Sequence, residues 1–329
     1  MEDRRDISQL LEDLLFHIAR YLYNDGESLF NYPLVCRRWQ SVFEPLMYES
    51  PRVVSGYPEQ SGTFSIFQFW SFVSNPVNRG RRAMVRTLEF YHYAAQYPAS
   101  DVNTITTMTI PGQNMTDVTY RKAVVALFKI LQLWEPSHKF ALEVILSYHF
   151  TDQRAEPEAT AQPMAFPIVQ CIRSLNFRFS ADGYISERIW EGTPFQIAQS
   201  CANITVLTLD SDAFQETSDS TSRLKQRNVI AECLGGLPIT VETLGLRTNG
   251  RSNPYLLDFF DGDNDLFTLR IRDVSTHLRH LILRNVTLPV DFLCPLNADY
   301  SPRRKLLFWP HLRYLLSVDN FLIDGIRHS

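Results

Sequence analysis

Few residues in this chain are spaced for chemistry. Asp261, Asp263 and Asp265 have the alternate spacing of a calcium loop, in which carboxylates converge on one cation. Where that loop needs a turning glycine the chain has Leu266, and where a bidentate glutamate would close the site it has Arg272. Calcium is therefore rejected. His277 and His280 flank Leu278 at an odd separation, which in a strand sends them to opposite faces and argues against a shared metal. The nucleophile-elbow, phosphate-loop, dinucleotide and zinc-protease motifs are absent from the sequence. We therefore expect no catalytic residue, no cofactor and no metal. A different constellation is more telling. Arg178, Asp210, Arg247 and Arg284 each follow the last apolar position of a Leu-x-apolar pattern. On neighbouring strands ~4.8 Å apart, Asp210 falls between two arginines, and Arg247 lies beside Arg284. Two adjacent guanidiniums suit capture of a carboxylate or phosphate; a solvated charge ladder is the plainer alternative. Ser174, Val206, Thr243, His280 and Tyr314 form a second row on the same face, each one step before its leucine. Arg178, Asp210, Arg247, His280 and Arg284 are thus the candidate substrate-binding residues.

The elements that must position these residues recur along the chain. Val85-Arg-Thr-Leu88-Glu-Phe90 is echoed from Ile172, Ile204, Val241, Leu278 and Leu312. Leu175, Leu207, Leu244, Leu281 and Leu315 follow one another at intervals of 32, 37, 37 and 34 residues. Leu142, Val144 and Leu146 supply another strand, and Arg52 to Ser55 begins the sheet. Phe64 to Val73, Ala123 to Trp134 and Asn228 to Leu234 carry helical periodicity, the last closed by Gly235-Gly236 as a C-cap. Strands repeated in one direction with helical returns make a parallel sheet, and stacking them gives a curved solenoid with strands on its concave face. A closed α/β domain whose strands merely contain Leu-x-Leu is the alternative. Thr151 to Pro163, Gln215 to Arg223 and Arg247 to Asn253 read as exposed polar loops, with a serine and threonine cluster from Thr217 to Ser222. Asn249 alone falls where a regular repeat places its ladder asparagine.

Before the first strand the pattern is helical. Leu11, Leu14, Leu15, Ile18 and Leu22 form one stripe, which neighbours must cover. Asp25-Gly26 breaks that helix, and Pro33 is placed to open another that runs to about Phe43. Leu10, Leu14, Leu15, Ile18, Tyr21 and Leu22, then Val35, Cys36, Arg37 and Trp39, then Pro45 and Tyr48, stand in the order of the F-box family, which this segment resembles. Asp13 replaces the usual glutamate, and Leu11 stands where the family carries proline. The repeats resemble irregular leucine-rich repeats, an arrangement similar to fungal F-box proteins. The resemblance implies an α/β fold: a three-helix F-box at 1–50, then a leucine-rich-repeat-like substrate-binding solenoid at 51–329. It further implies docking to a Skp-type adaptor, and through it to a cullin, by Leu10, Leu11, Leu14, Leu15, Ile18, Leu22, Val35, Cys36 and Trp39. The solenoid would hold an unknown protein substrate for ubiquitin transfer by other subunits of an SCF-type ligase. An interaction scaffold that keeps the fold without recruiting a cullin is the alternative.

Composition supports a packed protein and narrows its partners. Of 329 residues, 45% are apolar and 12% aromatic, ample for a large core. The net charge of -4 supplies no global positive field, so nucleic acid is not an expected partner. No apolar run approaches the ~18 residues of a membrane span. The charged start, Met-Glu-Asp-Arg-Arg-Asp, has no apolar core of a secretory signal. The expected location is intracellular, cytoplasmic or nuclear or both. Cys36, Cys171, Cys201, Cys233 and Cys294 are odd in number, widely spaced, and read as buried reduced thiols.

Overall fold

The computed structural model describes residues 7–25, 29, 31–56, 62–93, 115–147, 165–179, 192–211, 220–248, 266–284, 286, 292 and 309–318. Two helices open the chain, α1 (Ile7–Asn24) and α2 (Arg37–Glu49), with a 3-10 turn at Tyr32–Leu34 between them. The helix expected from Pro33 to Phe43 is therefore divided. Pro33 sits in the 3-10 turn, and α2 starts four residues later and runs through Pro45. Pro45 is exposed, so the carbonyl that its missing N–H leaves free can face water. Ala19, Leu29, Phe43 and Leu46 are buried in a small cluster with Leu22, Tyr32, Trp39, Val42 and Met47 packed around it.

The remaining strands are β1 (Arg52–Ser55), β2 (Thr63–Ser65), β3 (Thr87–Tyr93), β4 (Phe140–Ser147), β5 (Ile172–Phe179), β6 (Val206–Ser211), β7 (Thr243–Thr248), β8 (His280–Arg284) and β9 (Tyr314–Val318). They form one sheet in the order β2-β1-β3-β4-β5-β6-β7-β8-β9, every pairing parallel. The fold is α/β with a parallel sheet, as the repeated strand pattern predicts. From β3 onward each strand lies beside its successor in sequence. Only β2 departs, pairing outside β1, and the sequence pattern did not reveal it.

Alternation decides which way each strand faces. Leu88 and Phe90, Leu142 and Val144, Leu175 and Phe177, Leu207 and Leu209, Leu244 and Leu246, and Leu281 and Leu283 are all buried on one side. Helices pack against that side: α3 (Ile66–Ser74), α5 (Met115–Leu131), α6 (Thr193–Gln199), α7 (Ser220–Leu234) and α8 (Leu266–Ser275), whereas α4 (Arg79–Arg82), a single turn without a buried residue, lies against α2. Phe69, Leu127, Phe128, Phe195, Ile230, Phe267 and Ile271 join the strand residues in one continuous core from Val53 to Phe292. No described helix covers the other side of the sheet.

Some boundaries differ from the sequence expectation. Ser65 ends β2 and caps α3 through a capping box: its hydroxyl accepts from the Gln68 N–H at 3.2 Å, and the Gln68 side chain accepts from the Ser65 N–H at 2.8 Å. Residues 220–223 belong to α7 and residues 247–248 to β7, so both expected loops are shorter than proposed. Thr151 to Pro163, Asn249 and the aspartates at 261, 263 and 265 lie outside the described residues. α7 ends at Leu234 as expected, but neither Gly235 nor Gly236 has a positive φ. Gly236 lies close to the Gln199 side chain of α6, whose exposed amide would have to swing aside for a Cβ.

Candidate functional site

Two surfaces carry the residues singled out by sequence. On the helical one, α1 is apolar around more of its girth than its neighbours cover. Leu15 and Ala19 are buried and Leu22 is half-buried, whereas Leu14 is 54% exposed and Leu11, Ile18 and Tyr21 also face solvent. The expected single stripe is therefore split into a packed half and an open half. Leu10 lies in the same helix. The Arg38 guanidinium stands 3.5 Å from Glu12, which brings the start of α2 alongside the first half of α1. Just before that start, Leu34 is 81% exposed and Val35 and Cys36 are exposed too.

Trp39 does not join that open patch. Its ring, half-buried, stacks on Tyr32 at 5.9 Å and on Phe43 at 5.3 Å against the small cluster. A groove of about 480 Å³ runs from Leu34 and Cys36 past Gln40 and Glu44 to Arg81. At its inner end Arg81 donates to Glu44 at 2.7 Å, and its guanidinium lies over the Tyr48 ring. Burial alone would raise the Glu44 pKa, but the bonds from Gln40 and Arg81 outweigh it and hold the carboxyl below its usual range.

On the open face of the sheet, Arg178, Asp210, Arg247 and Arg284 fall in one cross-strand row, each the register partner of the next. The row that sequence placed there thus exists, with one correction. Arg178 is ion-paired with Glu143 of β4 at 3.3 Å rather than with Asp210. Asp210 Oδ1 and Arg247 Nε are buried atoms without a hydrogen-bond partner. His280 opens β8, and its Nδ1 lies 3.2 Å from the Thr243 hydroxyl of β7. Thr208 leans over Gly245, where a Cβ would come within 3.2 Å of its methyl group. Glu89 and Glu143 were missed by sequence reasoning, although each sits between two inward residues, in Leu88-Glu-Phe90 and Leu142-Glu-Val144. Glu89 is bound by Arg52, Tyr91 and Ser50 at 3.0 Å each.

The remaining titratable groups offer little chemistry. Cys171 and Cys201 are buried, and burial pushes their thiols up, Cys171 to about 12. Cys233 is only half-buried and Cys36 is exposed, so not every thiol is internal as expected; Cys294 lies outside the described residues. His277 sits in the turn after α8 rather than in the strand, and burial lowers its pKa. Among the described residues no three His, Cys, Asp or Glu side chains gather to hold a metal, and no helix is long and apolar enough to cross a membrane. No protein-family model, curated protein or solved structure matches this chain.

Proposed function

We propose that the protein is a non-catalytic substrate receptor of an SCF-type cullin ubiquitin ligase. Its helical cap would act as an F-box that docks on a Skp-type adaptor, and its sheet as the irregular leucine-rich-repeat solenoid that holds a protein substrate. One observation carries the reading. The open half of α1, with Leu34 and Val35, is an apolar surface on a segment whose residue order resembles an F-box. Clustered large apolar side chains in water mark an interaction site more often than chance exposure. Sequential parallel strands, with helices on one side and a mixed polar face on the other, support the solenoid half of the reading. Leu15, Leu22 and Trp39 then shape the docking surface from within, while Leu11, Leu14, Ile18, Val35 and Cys36 touch the adaptor.

The test is co-purification of the full chain with a Skp-type adaptor, alongside an authentic F-box protein as positive control. Stable association is expected; its absence under conditions where the control binds would sink the receptor reading. A second reading is favoured by Leu11, which occupies the position of the family's proline: a scaffold that keeps the F-box fold without recruiting a cullin. Adaptor captured without any cullin would favour that scaffold.

A further inference from the structure

Charges on the open face do not balance evenly along the sheet. Toward β1 they are paired: Arg52 with Glu89 at 3.0 Å, and Arg178 with Glu143 at 3.3 Å. Toward β9 they are not. Arg284 is exposed, has Arg247 on one side and Val318 on the other in its row, and makes no ion pair among the described residues. The nearest same-face positions of that half, Thr208, Gly245, Ile282 and Leu316, are uncharged. Asp210 is the sole acid of the row, and it flanks Arg247 on the side away from Arg284. Even so, Asp210 and Arg247 form no salt bridge, and Arg247 Nε is buried without an acceptor. Like charges directly opposite on neighbouring strands repel, and a buried donor without an acceptor costs free energy.

The repulsion has a remedy. We propose that Arg247 and Arg284 together bind an oxyanion side chain of the protein partner, either a carboxylate or a phosphate. Strands ~4.8 Å apart hold two guanidiniums close enough for one such group to accept from both, and charge-assisted bonds of this kind are the strong ones. The Thr243 hydroxyl and the His280 ring stand four residues earlier on the same face, ~13 Å along the strands, where they would meet a residue further along an extended segment. This deepens the receptor reading, since it specifies the chemistry that its sheet would select.

The experiment titrates the full chain with three short fluorescent peptides of one sequence, carrying glutamate, phosphoserine or glutamine at the central position. We expect the glutamate or the phosphoserine peptide to bind at least about tenfold more tightly than the glutamine one, with affinity falling as salt rises. Arg247→Gln with Arg284→Gln should erase that difference. Arg284→Lys, which keeps the charge at an exposed site, should keep part of it. Binding by the glutamate peptide identifies a carboxylate; binding by the phosphoserine peptide alone identifies a phosphate. Equal binding of all three peptides, or binding unaltered in the double variant, overturns the proposal. Adaptor association of the same variants is measured separately. Its loss in wild type would remove the ligase role without touching the oxyanion result.

Discussion

At the scale of single residues, His92 is the group most at odds with its surroundings. It points to the core side of β3 in line with Leu88 and Phe90, is 4% exposed, and has neither ring nitrogen partnered. Among the described residues its close ring neighbour is Tyr120, edge-on at 5.5 Å. Burial pushes its pKa down to about 4. An unfolded chain takes up the proton near pH ~6.5, so between there and about 4 the unfolded state holds more protons and stability must fall as pH falls. The effect is of order 3 kcal/mol once the window is crossed. His92→Phe should leave neutral-pH stability within about 1 kcal/mol and flatten the acid limb of a denaturant-midpoint series; an unchanged slope would show that His92 is not its source. Glu44 behaves in the opposite sense. Its depressed pKa means that its contribution is complete above the ordinary carboxylate range and is lost as pH drops through and below it. Glu44→Gln should therefore lower the melting temperature at neutral pH, and the difference from wild type should close in acid.

Among the elements, α1 separates folding from docking most sharply. Leu15 is buried, so Leu15→Ala should cost roughly 2–4 kcal/mol of stability in the cap. Leu14→Glu and Ile18→Glu, one helical step aside on the open flank, should leave melting almost unchanged and abolish adaptor capture. Equal loss of melting temperature in both kinds of variant would mean that the flank is structural. The strands were largely legible because Leu-x-apolar alternation is a local signal, and it placed β3 to β9 and the arginine row correctly. What escaped was set by non-local contact. β2 is three residues long and pairs outside β1; α6 is short and nearly all buried, so it shows no amphipathic period. α8 begins where the aspartate spacing drew attention to a different chemistry. The apolar stripe of α1 was readable, but not which half of it the small cluster would cover.

Considered as a whole molecule, the sheet is a chain of nearest-neighbour pairings over one unbroken core. Interrupting it anywhere exposes two raw apolar faces. Cleavage after Pro163, between β4 and β5, should leave two fragments that are insoluble or poorly folded, and calorimetry checks this. Sharp independent transitions in both fragments would reveal two separable halves. The join between the helical cap and the sheet is equally tight. Only Ser50 and Pro51 separate α2 from β1; Tyr48 stacks on Phe72 at 5.5 Å, and the Arg86 N–H donates to the Glu49 carbonyl at 2.8 Å. With no slack at that join, the effective concentration of anything held on the open face, as felt by anything docked on α1, is fixed by geometry rather than averaged over a tether. A partner reaching both surfaces at once meets either a matching span or none. Inserting a few glycines and serines between Ser50 and Pro51 should therefore spare each separate affinity and destroy only the avidity between them.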